Sequence, residues 1–402
     1  MSTVAEREAP AELLAAQHLE EAAKFLDLEP WIVRRLRQCE REIAVNLEVI
    51  RDDGDAMMFR GMRVQHSAAR GPCMGPMMFS RDFSEGAGHA LAMWLTWQSA
   101  LWDLPFGGSA GWIGASLDGL SEREARLLTR AYVESMVGVI GAERDIVTPE
   151  RNAHPEVSAW ELHALGKTSR KSAASVTGKP LALGGVPREK IAALALRTLI
   201  ESALRSQGIK LAGAQIAMAG FEPEARALAL ALDGVGARIV AVCDRSGAVF
   251  HRSRLDLRPL TEYVEKEDVV YGYPEAQPMS TEEMMQLPCD VLILGPGYDL
   301  VTSTKAKMVV ENGGAVNCSW SSKVVIVPAL LGDAGLRLAD FLEWRKSACG
   351  IVSDRELMRG MQALVRKTWN EVWTHSQKYE IRLDQSAMAI AAGRVAQAMR
   401  MG

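Results

Sequence analysis

Apolar and polar positions in the first half of the chain recur mainly with the period of a helix. Apolar residues stand at helical spacing over residues 11–25 and 31–45, and residues 82–102 form a longer apolar stretch typical of a buried helix. Residues 57–64 alternate loosely, as a strand does. Ser121 and Glu124 have the spacing of a capping box, which marks the start of another helix. This half is therefore predicted to be helices around a short β segment.

The pattern changes in the middle of the chain. A short apolar run at residues 215–219, a helical pattern at 224–232 and a second apolar run at 237–242 follow one another. Strand, helix and strand over so short a stretch predict a βαβ unit with parallel strands. Further elements continue this pattern: predicted strands at 291–294, 315–317 and 324–327, and long helices at 353–377 and 383–400. Residues near 180–345 are thus predicted to form a doubly wound domain.

Composition limits the classes of function. A chain of 402 residues, 48% hydrophobic and 24% charged, is expected to fold as two globular domains. Its 46 Lys+Arg against 50 Asp+Glu leave a net charge of −4, which argues against nucleic-acid binding. The six cysteines include no CxxC pair, so neither a zinc site nor a disulfide framework is expected. The chain shows no leader pattern and no membrane-length apolar run, so a cytoplasmic protein without membrane contact is expected.

Short segments rich in Gly, Pro, Arg and aromatic residues stand out along nearly the whole chain. They are Gly61-Met-Arg-Val-Gln-His-Ser-Ala-Ala-Arg-Gly-Pro72, Thr96-Trp97, Leu104-Pro-Phe-Gly-Gly108, Arg144-Asp-Ile146, Val176-Thr-Gly-Lys-Pro180, Leu183-Gly-Gly185, Ala241-Val-Cys-Asp244 and Phe341-Leu-Glu-Trp344. In this order they resemble the motifs of the glutamate/leucine/phenylalanine/valine dehydrogenase family. The resemblance implies a two-domain α/β fold, NAD(P)-dependent deamination of amino acids and hexameric assembly.

The resemblance also implies where the domains divide. Residues 1–178 would form an N-terminal α/β domain for substrate and oligomerisation, and residues 179–376 a doubly wound, Rossmann-like domain. Residues 377–402 would form a C-terminal helix that returns to the N-terminal domain.

The family's catalytic positions carry different residues in this chain. Lysines bind the substrate carboxylates in the family, and a Lys/Asp pair transfers protons. Met74 and Gln98 stand at the carboxylate-binding lysines, and Ala110 stands at the catalytic lysine. A methyl group can neither polarise a water molecule nor stabilise developing charge. Glu150 stands at the catalytic aspartate. No catalytic residue is therefore assigned.

Two further substitutions change the pocket that the resemblance implies. Trp112 stands where the family has a glycine against the substrate, and Asp340 stands at a serine that contacts the substrate. A pocket of Met74, Gln98, Ala110, Trp112, Glu150 and Asp340 would be more apolar and more acidic than that of the family.

The cofactor half departs from the family as well. A Rossmann turn needs glycines so that its backbone can approach a pyrophosphate, and Gly220-Phe-Glu-Pro-Glu-Ala225 keeps only the first. Glu222 and Glu224 would bring negative charge to that position. Asp244 stands where a ribose-binding acid would, or it caps a turn with Ser246. Binding of NAD or NADP is expected to be weakened or lost, and no metal is expected.

These observations favour a dehydrogenase-like protein that no longer deaminates amino acids. It would act as a regulatory or ligand-binding subunit, either as a homo-oligomer or together with an active dehydrogenase. Two alternatives stay open: a repurposed enzyme acting on an apolar or cationic amino-acid-like substrate, and a divergent NAD(P)-dependent amino acid dehydrogenase.

Overall fold

The computed structural model describes residues 17–150, 154–166, 172–299, 304–313, 324–350 and 353–401. The chain divides into two compact units. Unit 1 consists of residues 1–187, 340–354 and 388–402, and unit 2 of residues 188–339 and 355–387. The chain thus crosses from one unit to the other more than once.

The helices within the described ranges are α1 (17–25), α2 (Pro30–Leu36), α3 (Glu85–Leu101), α4 (Glu122–Ser135), α5 (Pro155–Gly166), α6 (Arg188–Ser206), α7 (Pro223–Asp233), α8 (Leu257–Glu267), α9 (Thr281–Met285), α10 (Ala329–Gly332), α11 (Gly335–Cys349), α12 (Asp354–Tyr379) and α13 (Leu383–Met401). The strands are β1 (Arg41–Ile50), β2 (Ala56–Gln65), β3 (Cys73–Phe79), β4 (Gly107–Ile113), β5 (Asp145–Pro149), β6 (Gln215–Ala219), β7 (Arg238–Asp244), β8 (Gly247–Phe250), β9 (Gln277–Met279), β10 (Val291–Leu294), β11 (Met308–Glu311) and β12 (Val325–Val327).

Unit 1 is built on a mixed five-stranded sheet with the order β1-β2-β4-β3-β5. β1, β2 and β4 are antiparallel neighbours, whereas β4, β3 and β5 run parallel. Helix α3 covers one face, where Ala92 packs with residues of β2 and β4. Helices α4 and α5 cover the other face, where Leu128 and Ala164 pack with Ile113 and Val147. The sheet is therefore the middle of three layers.

Unit 2 is built on a seven-stranded sheet with the order β12-β11-β10-β6-β7-β8-β9. The strands from β12 to β7 are parallel, and β8 and β9 extend the edge in antiparallel fashion. The chain runs from β6 to β7 through α7, which confirms the predicted βαβ unit. The carboxyl ends of β6, β7 and β10 lie side by side, the edge at which doubly wound sheets bind their ligands.

The structure confirms the predicted fold class and several elements. The predicted strands at 57–64 and 291–294 are β2 and β10, and the capping box forms between Ser121 and Glu124. The helix predicted over 82–102 is α3, which begins after Ser84, whose hydroxyl accepts a hydrogen bond from the backbone N–H of Ala87. The strand predicted at 315–317 lies outside the described residues.

One predicted helix was wrong in its second half. The pattern over 31–45 gives helix only as far as Leu36, and β1 begins at Arg41. Val45 belongs to this strand and pairs with Gly61 of β2. The apolar pattern over these residues fits a helix as well as a strand. The backbone pairing with β2 over ten residue positions stabilises the strand and so decides between them.

No helix in the described ranges is long and apolar enough to cross a membrane.

Candidate functional site

Two of the positions at which the resemblance implies lysines lie on neighbouring strands of unit 1. Met74 on β3 pairs with Gly108 on β4, and Ala110 follows two residues along β4. Residues in register on paired strands, and residues two apart on one strand, point to the same face of a sheet. Both side chains are fully buried. They give this face neither a charge nor a hydrogen-bond donor.

Helix α3 packs directly onto the backbone of β4 at this face. A Cβ on Gly108 would lie 2.0 Å from the carbonyl oxygen of Ala92 and 2.5 Å from the backbone nitrogen of Thr96. Ala110 belongs to the same apolar cluster as Ala92 and Val64. Its methyl group is therefore held in the packed layer between helix and sheet.

The indole of Trp112 fills the space beside Ala110. It is 5% exposed and lies 5.1 Å from the ring of Phe83. A Cβ on Gly88 of α3 would lie only 2.4 Å from indole Cζ3, so the helix approaches this closely only because residue 88 is a glycine. The gap between β4 and α3 is thus occupied by the protein itself.

Gln98 contributes a polar but neutral group on α3. The residue is 2% exposed, and its Nε2 has no hydrogen-bond partner among the described residues. Leaving a buried donor unpaired costs about 1–3 kcal/mol. This N–H group is therefore available to an acceptor atom that is not part of the chain.

Two carboxyl groups belong to the same unit. Glu150 follows β5 and is half-buried; burial raises its pKa, and nearby His154 acts in the opposite direction. Asp340 on α11 is buried and accepts a hydrogen bond of 2.9 Å from the hydroxyl of Thr177. The backbone N–H of Thr177 donates to the carbonyl of Val147 on β5 at 2.9 Å. Thr177 thus links Asp340 to the strand that leads to Glu150.

A buried ion pair beside Asp340 was not predicted from the sequence. The Nζ of Lys179 lies 2.7 Å from Oε1 of Glu343, and both side chains are at most 1% exposed. The backbone N–H groups of Gly178 and Lys179 also donate to this carboxylate, at 3.0 and 3.2 Å. Burial raises the pKa of Glu343, and the charge of Lys179 opposes the shift. Two of the quoted sequence segments, residues 176–180 and 341–344, are thereby joined.

The opposite face of β4 rests on a second buried network. Arg63 Nε donates to Asp145 Oδ2 at 2.9 Å, and Gln65 Nε2 donates to the same oxygen at 2.7 Å. Ser109 on β4 donates its hydroxyl to Asp145 Oδ1 at 2.7 Å. Arg63 and Asp145 are fully buried, so this network fixes β2, β4 and β5 relative to one another.

His66 is a structural hydrogen-bonding residue in this geometry. Its Nε2 lies 2.9 Å from the carbonyl of Leu36 and must donate, which leaves Nδ1 to accept from the hydroxyl of Thr96 at 2.8 Å. Burial lowers the pKa of the imidazole to about 4, although the bond to Leu36 acts in the opposite direction. His66 is therefore neutral at physiological pH, and both its nitrogens are occupied.

In unit 2, Gly220 follows β6 with φ = +102°, a conformation that suits glycine. A Cβ at this position would lie 2.9 Å from Glu222 Oε2 and 3.6 Å from the Tyr298 ring. In a dinucleotide-binding turn, this open side of the glycine faces the pyrophosphate. Here it is covered by the chain's own carboxylate and aromatic ring, so the residues present do not fit a pyrophosphate.

Asp244 at the end of β7 has both carboxylate oxygens engaged. Oδ1 accepts from the backbone N–H of Ser246 at 2.7 Å and from its hydroxyl, and Oδ2 accepts from the N–H of Val270 at 2.7 Å. This is the turn-capping arrangement that the sequence left open as an alternative. A ribose-binding role for Asp244 stays a prediction.

A cavity of about 540 Å³ lies beyond that turn. Arg245 and Tyr271 line it on the side of β8, and Ser280 and Thr281 line it at the start of α9. It is a shallow depression that is widely open to solvent. In the part of the chain that the structure describes, no group of three or more His, Cys, Asp or Glu side chains is placed to hold a metal ion.

Two family models match this chain. The one described as "Glu/Leu/Phe/Val dehydrogenase, dimerisation domain" matches residues 39–166. The one described as "Glutamate/Leucine/Phenylalanine/Valine dehydrogenase" matches residues 184–402. Together they span most of the chain.

Individual proteins match over nearly the full length. A glutamate dehydrogenase of Thermotoga maritima is 28% identical over 96% of this chain and 97% of the relative. An NADP-specific glutamate dehydrogenase of Saccharolobus shibatae is 29% identical over 95% of this chain and 94% of the relative. Among solved structures, a hetero-hexameric glutamate dehydrogenase from Thermus thermophilus in a Leu-bound form is 29% identical, with a TM-score of 0.86, covering 96% of this chain and 95% of that chain.

Proposed function

The chain belongs to the Glu/Leu/Phe/Val dehydrogenase family and is a glutamate-dehydrogenase-like protein, and from this we propose that it acts as a regulatory or ligand-binding subunit without NAD(P)-dependent deaminase activity. The observation that carries the proposal is Ala110. The resemblance aligns this residue with the family's catalytic lysine, and its methyl group packs with α3 and the indole of Trp112 in one apolar cluster. Catalysis of deamination needs a cation that can stabilise a developing negative charge, and a methyl group supplies none.

The neighbouring substitutions support the same conclusion. Met74 and Gln98 replace two cations that would neutralise the carboxylates of a dicarboxylic substrate. A change of substrate could explain the loss of one lysine. It does not explain the loss of all three, because every amino acid substrate keeps its α-carboxylate and needs the same proton transfers.

A role within an assembly follows from the family. One family model is that of a dimerisation domain, and one solved relative is described as hetero-hexameric. That description means that chains of different sequence share one assembly in the Thermus protein. We propose that the present chain assembles with itself or with a catalytically competent relative.

Co-expression with an active glutamate dehydrogenase from the same source tests this role. The two chains are expected to co-purify as one species by size-exclusion chromatography with light scattering, and the rate of glutamate deamination is expected to differ from that of the active chain alone. A mixture of separate homo-oligomers with an unchanged rate would contradict a regulatory role.

The second candidate is a repurposed enzyme on an apolar or cationic amino-acid-like substrate. The unpaired N–H of Gln98, together with the buried apolar side chains of Met74 and Ala110, favours a ligand with one acceptor atom and an apolar body. Thermal-shift measurements with apolar and cationic amino acids and amines test it. A stabilisation that depends on Gln98 and is lost in Gln98→Leu would support this candidate, and a flat response across the series would remove it.

A further inference from the structure

The turn between β6 and α7 keeps two features of a phosphate-binding turn, a glycine of positive φ and a helix that follows it. Gly220 has φ = +102°, and its N–H donates to the carbonyl of Cys243 on β7 at 3.0 Å. Helix α7 follows at once, with Pro223 at its first position. Partial positive charge therefore gathers at the start of a helix of 11 residues, in front of the glycine.

Glu222 places its own anion at that point. It is the N-cap residue of α7, yet its side chain makes no capping hydrogen bond to the helix. Its carboxylate turns back toward Gly220, with Oε2 at 2.9 Å from the place of a Cβ on that glycine. The negative charge thus lies on the open side of the turn and not on the first N–H groups of the helix.

Tyr298 closes the same space from the neighbouring strand. It lies in the loop after β10, where its N–H donates to the carbonyl of Gly295 at 3.2 Å. Cys243, at the end of β7, is among the groups that act on its phenol. Burial, together with Cys243, Glu222 and Asp244, raises the pKa of this phenol, which agrees with its position among these groups. Gly220 is therefore flanked by a carboxylate on one side and a ring on the other.

We infer that Glu222 acts as an internal anion that occupies the phosphate position of this turn and thereby keeps dinucleotides out of it. The inference deepens the proposed function and rests on it, since it names the residue that separates this chain from its NAD(P)-binding relatives. A pyrophosphate approaching the turn would meet a fixed like charge and would also have to displace the carboxylate.

Isothermal titration of the full-length chain with NAD⁺, NADP⁺ and inorganic pyrophosphate tests the inference. Glu222→Gly removes both the charge and the bulk, and Glu222→Gln removes the charge alone. Glu224→Gln is the matched control, because it removes the same charge from the first turn of the same helix. Adenosine, which has no phosphate, is the control ligand.

The wild-type chain is expected to bind NAD⁺ no more tightly than millimolar. Glu222→Gly is expected to tighten binding of the three phosphate ligands by about tenfold or more, and Glu222→Gln by a smaller factor. Because Pro223 supplies no N–H to a phosphate, the affinity of an active dehydrogenase is not expected. Glu224→Gln is expected to change these affinities less than Glu222→Gln does, because Glu222 and not Glu224 lies against the open side of Gly220. The affinity for adenosine is expected to be the same in the wild type and in every variant.

Equal affinities of the wild-type and Glu222→Gly chains for NAD⁺ would overturn the inference, as would micromolar binding by the wild type. Circular dichroism spectra matching the wild type establish that each variant is folded. These outcomes leave the proposed function standing, since a chain that binds NAD⁺ without a catalytic lysine still does not deaminate. The proposed function would instead be contradicted by measurable NAD(P)-dependent deamination of an amino acid.

Discussion

The methyl group of Ala110 contributes to the packing of the apolar layer between β4 and α3 and carries no group that could take part in catalysis. It lies in a cluster with Val64, Ala92 and Trp112, and its residue is 0% exposed. An ammonium group at this position would have no carboxylate in that cluster to pair with. Burying an unpaired charge costs several kcal/mol, so the surroundings of position 110 suit an apolar residue.

The change Ala110→Lys is therefore expected to destabilise the protein and not to restore deamination. The free energy of unfolding should fall by about 3–5 kcal/mol, because the ammonium group is either buried unpaired or forces β4 and α3 apart. Urea denaturation measures this. Ala56→Lys places the same side chain at an exposed position of the same sheet and should change the free energy by less than about 0.5 kcal/mol. A full-length Ala110→Lys chain as stable as wild type would show that position 110 reaches solvent.

The alignment of single residues with family positions could be predicted where a recognisable motif lies directly beside them in the sequence. The flanking segments align Met74, Gln98 and Ala110 with the positions at which the resemblance implies lysines, and this assignment stays a prediction. The contact between Trp112 and Gly88 could not be predicted, because it depends on how closely α3 approaches β4. The unpaired N–H of Gln98 likewise depends on what surrounds it in three dimensions.

At the scale of elements, the sequence was least informative for the strands that carry the site. All seven residues of β4 are buried, as are the first five of β3, so neither strand alternates between polar and apolar positions. Glycine and methionine dominate them, and neither residue type is typical of strands. By contrast, β6, α7 and β7 were predictable from local pattern, since each contrasts with its flanking turns. A strand that is buried on both faces lacks the alternation of polar and apolar residues by which a strand is recognised in a sequence.

The pair formed by Lys179 and Glu343 is expected to be the critical tie between the 176–180 segment and α11. Glu343→Gln leaves a buried ammonium group without its carboxylate and should lower the free energy of unfolding by about 3–5 kcal/mol. Combining it with Lys179→Met should recover much of that loss, because both charges are then gone. A double-mutant cycle by urea denaturation measures the coupling. If the two substitutions lowered the free energy of unfolding by purely additive amounts, this would contradict a stabilising ion pair between Lys179 and Glu343.

Helix α5 carries a buried acid that should make stability depend on pH. Glu161 is 1% exposed, and its Oε2 has no partner in the described part of the chain. Burial raises the pKa of its carboxyl from 4.5 to about 8, with Arg63 opposing the shift. The folded protein thus holds a proton that the unfolded chain releases above 4.5. This contribution to stability is fully present below 4.5 and is lost as the pH rises through about 8.

Glu161→Gln is therefore expected to be more stable than wild type at a pH of about 8.5, by on the order of a few kcal/mol, and to lose much of the difference near pH 5. Urea denaturation across this range measures the effect. Glu134→Gln, which changes an exposed carboxylate at the end of α4, serves as the control and should leave the pH profile unchanged. Parallel profiles for wild type and Glu161→Gln would contradict the buried, protonated state.

For the whole molecule, the fold was predictable from the sequence, whereas the loss of deaminase activity stays a proposal. The family motifs run along nearly the whole chain, and both family models match it, so the fold was predictable from the sequence. The boundaries predicted at residues 178 and 376 stay a prediction about independent domains. The side-chain contacts were not predictable from the sequence: Trp112 packs against Gly88 of α3, and Glu222 and Tyr298 lie against the open side of Gly220.

A turnover assay on the purified chain tests the central claim most directly. Each of the twenty L-amino acids is supplied with NAD⁺ and then with NADP⁺ at saturating concentrations, and formation of NADH or NADPH is followed by absorbance, with an active glutamate dehydrogenase as positive control. The loss of the lysine at position 110 predicts no rate above that of the blank for any pair. A rate above that of the blank for any pair, reproduced in a second preparation, would contradict the account.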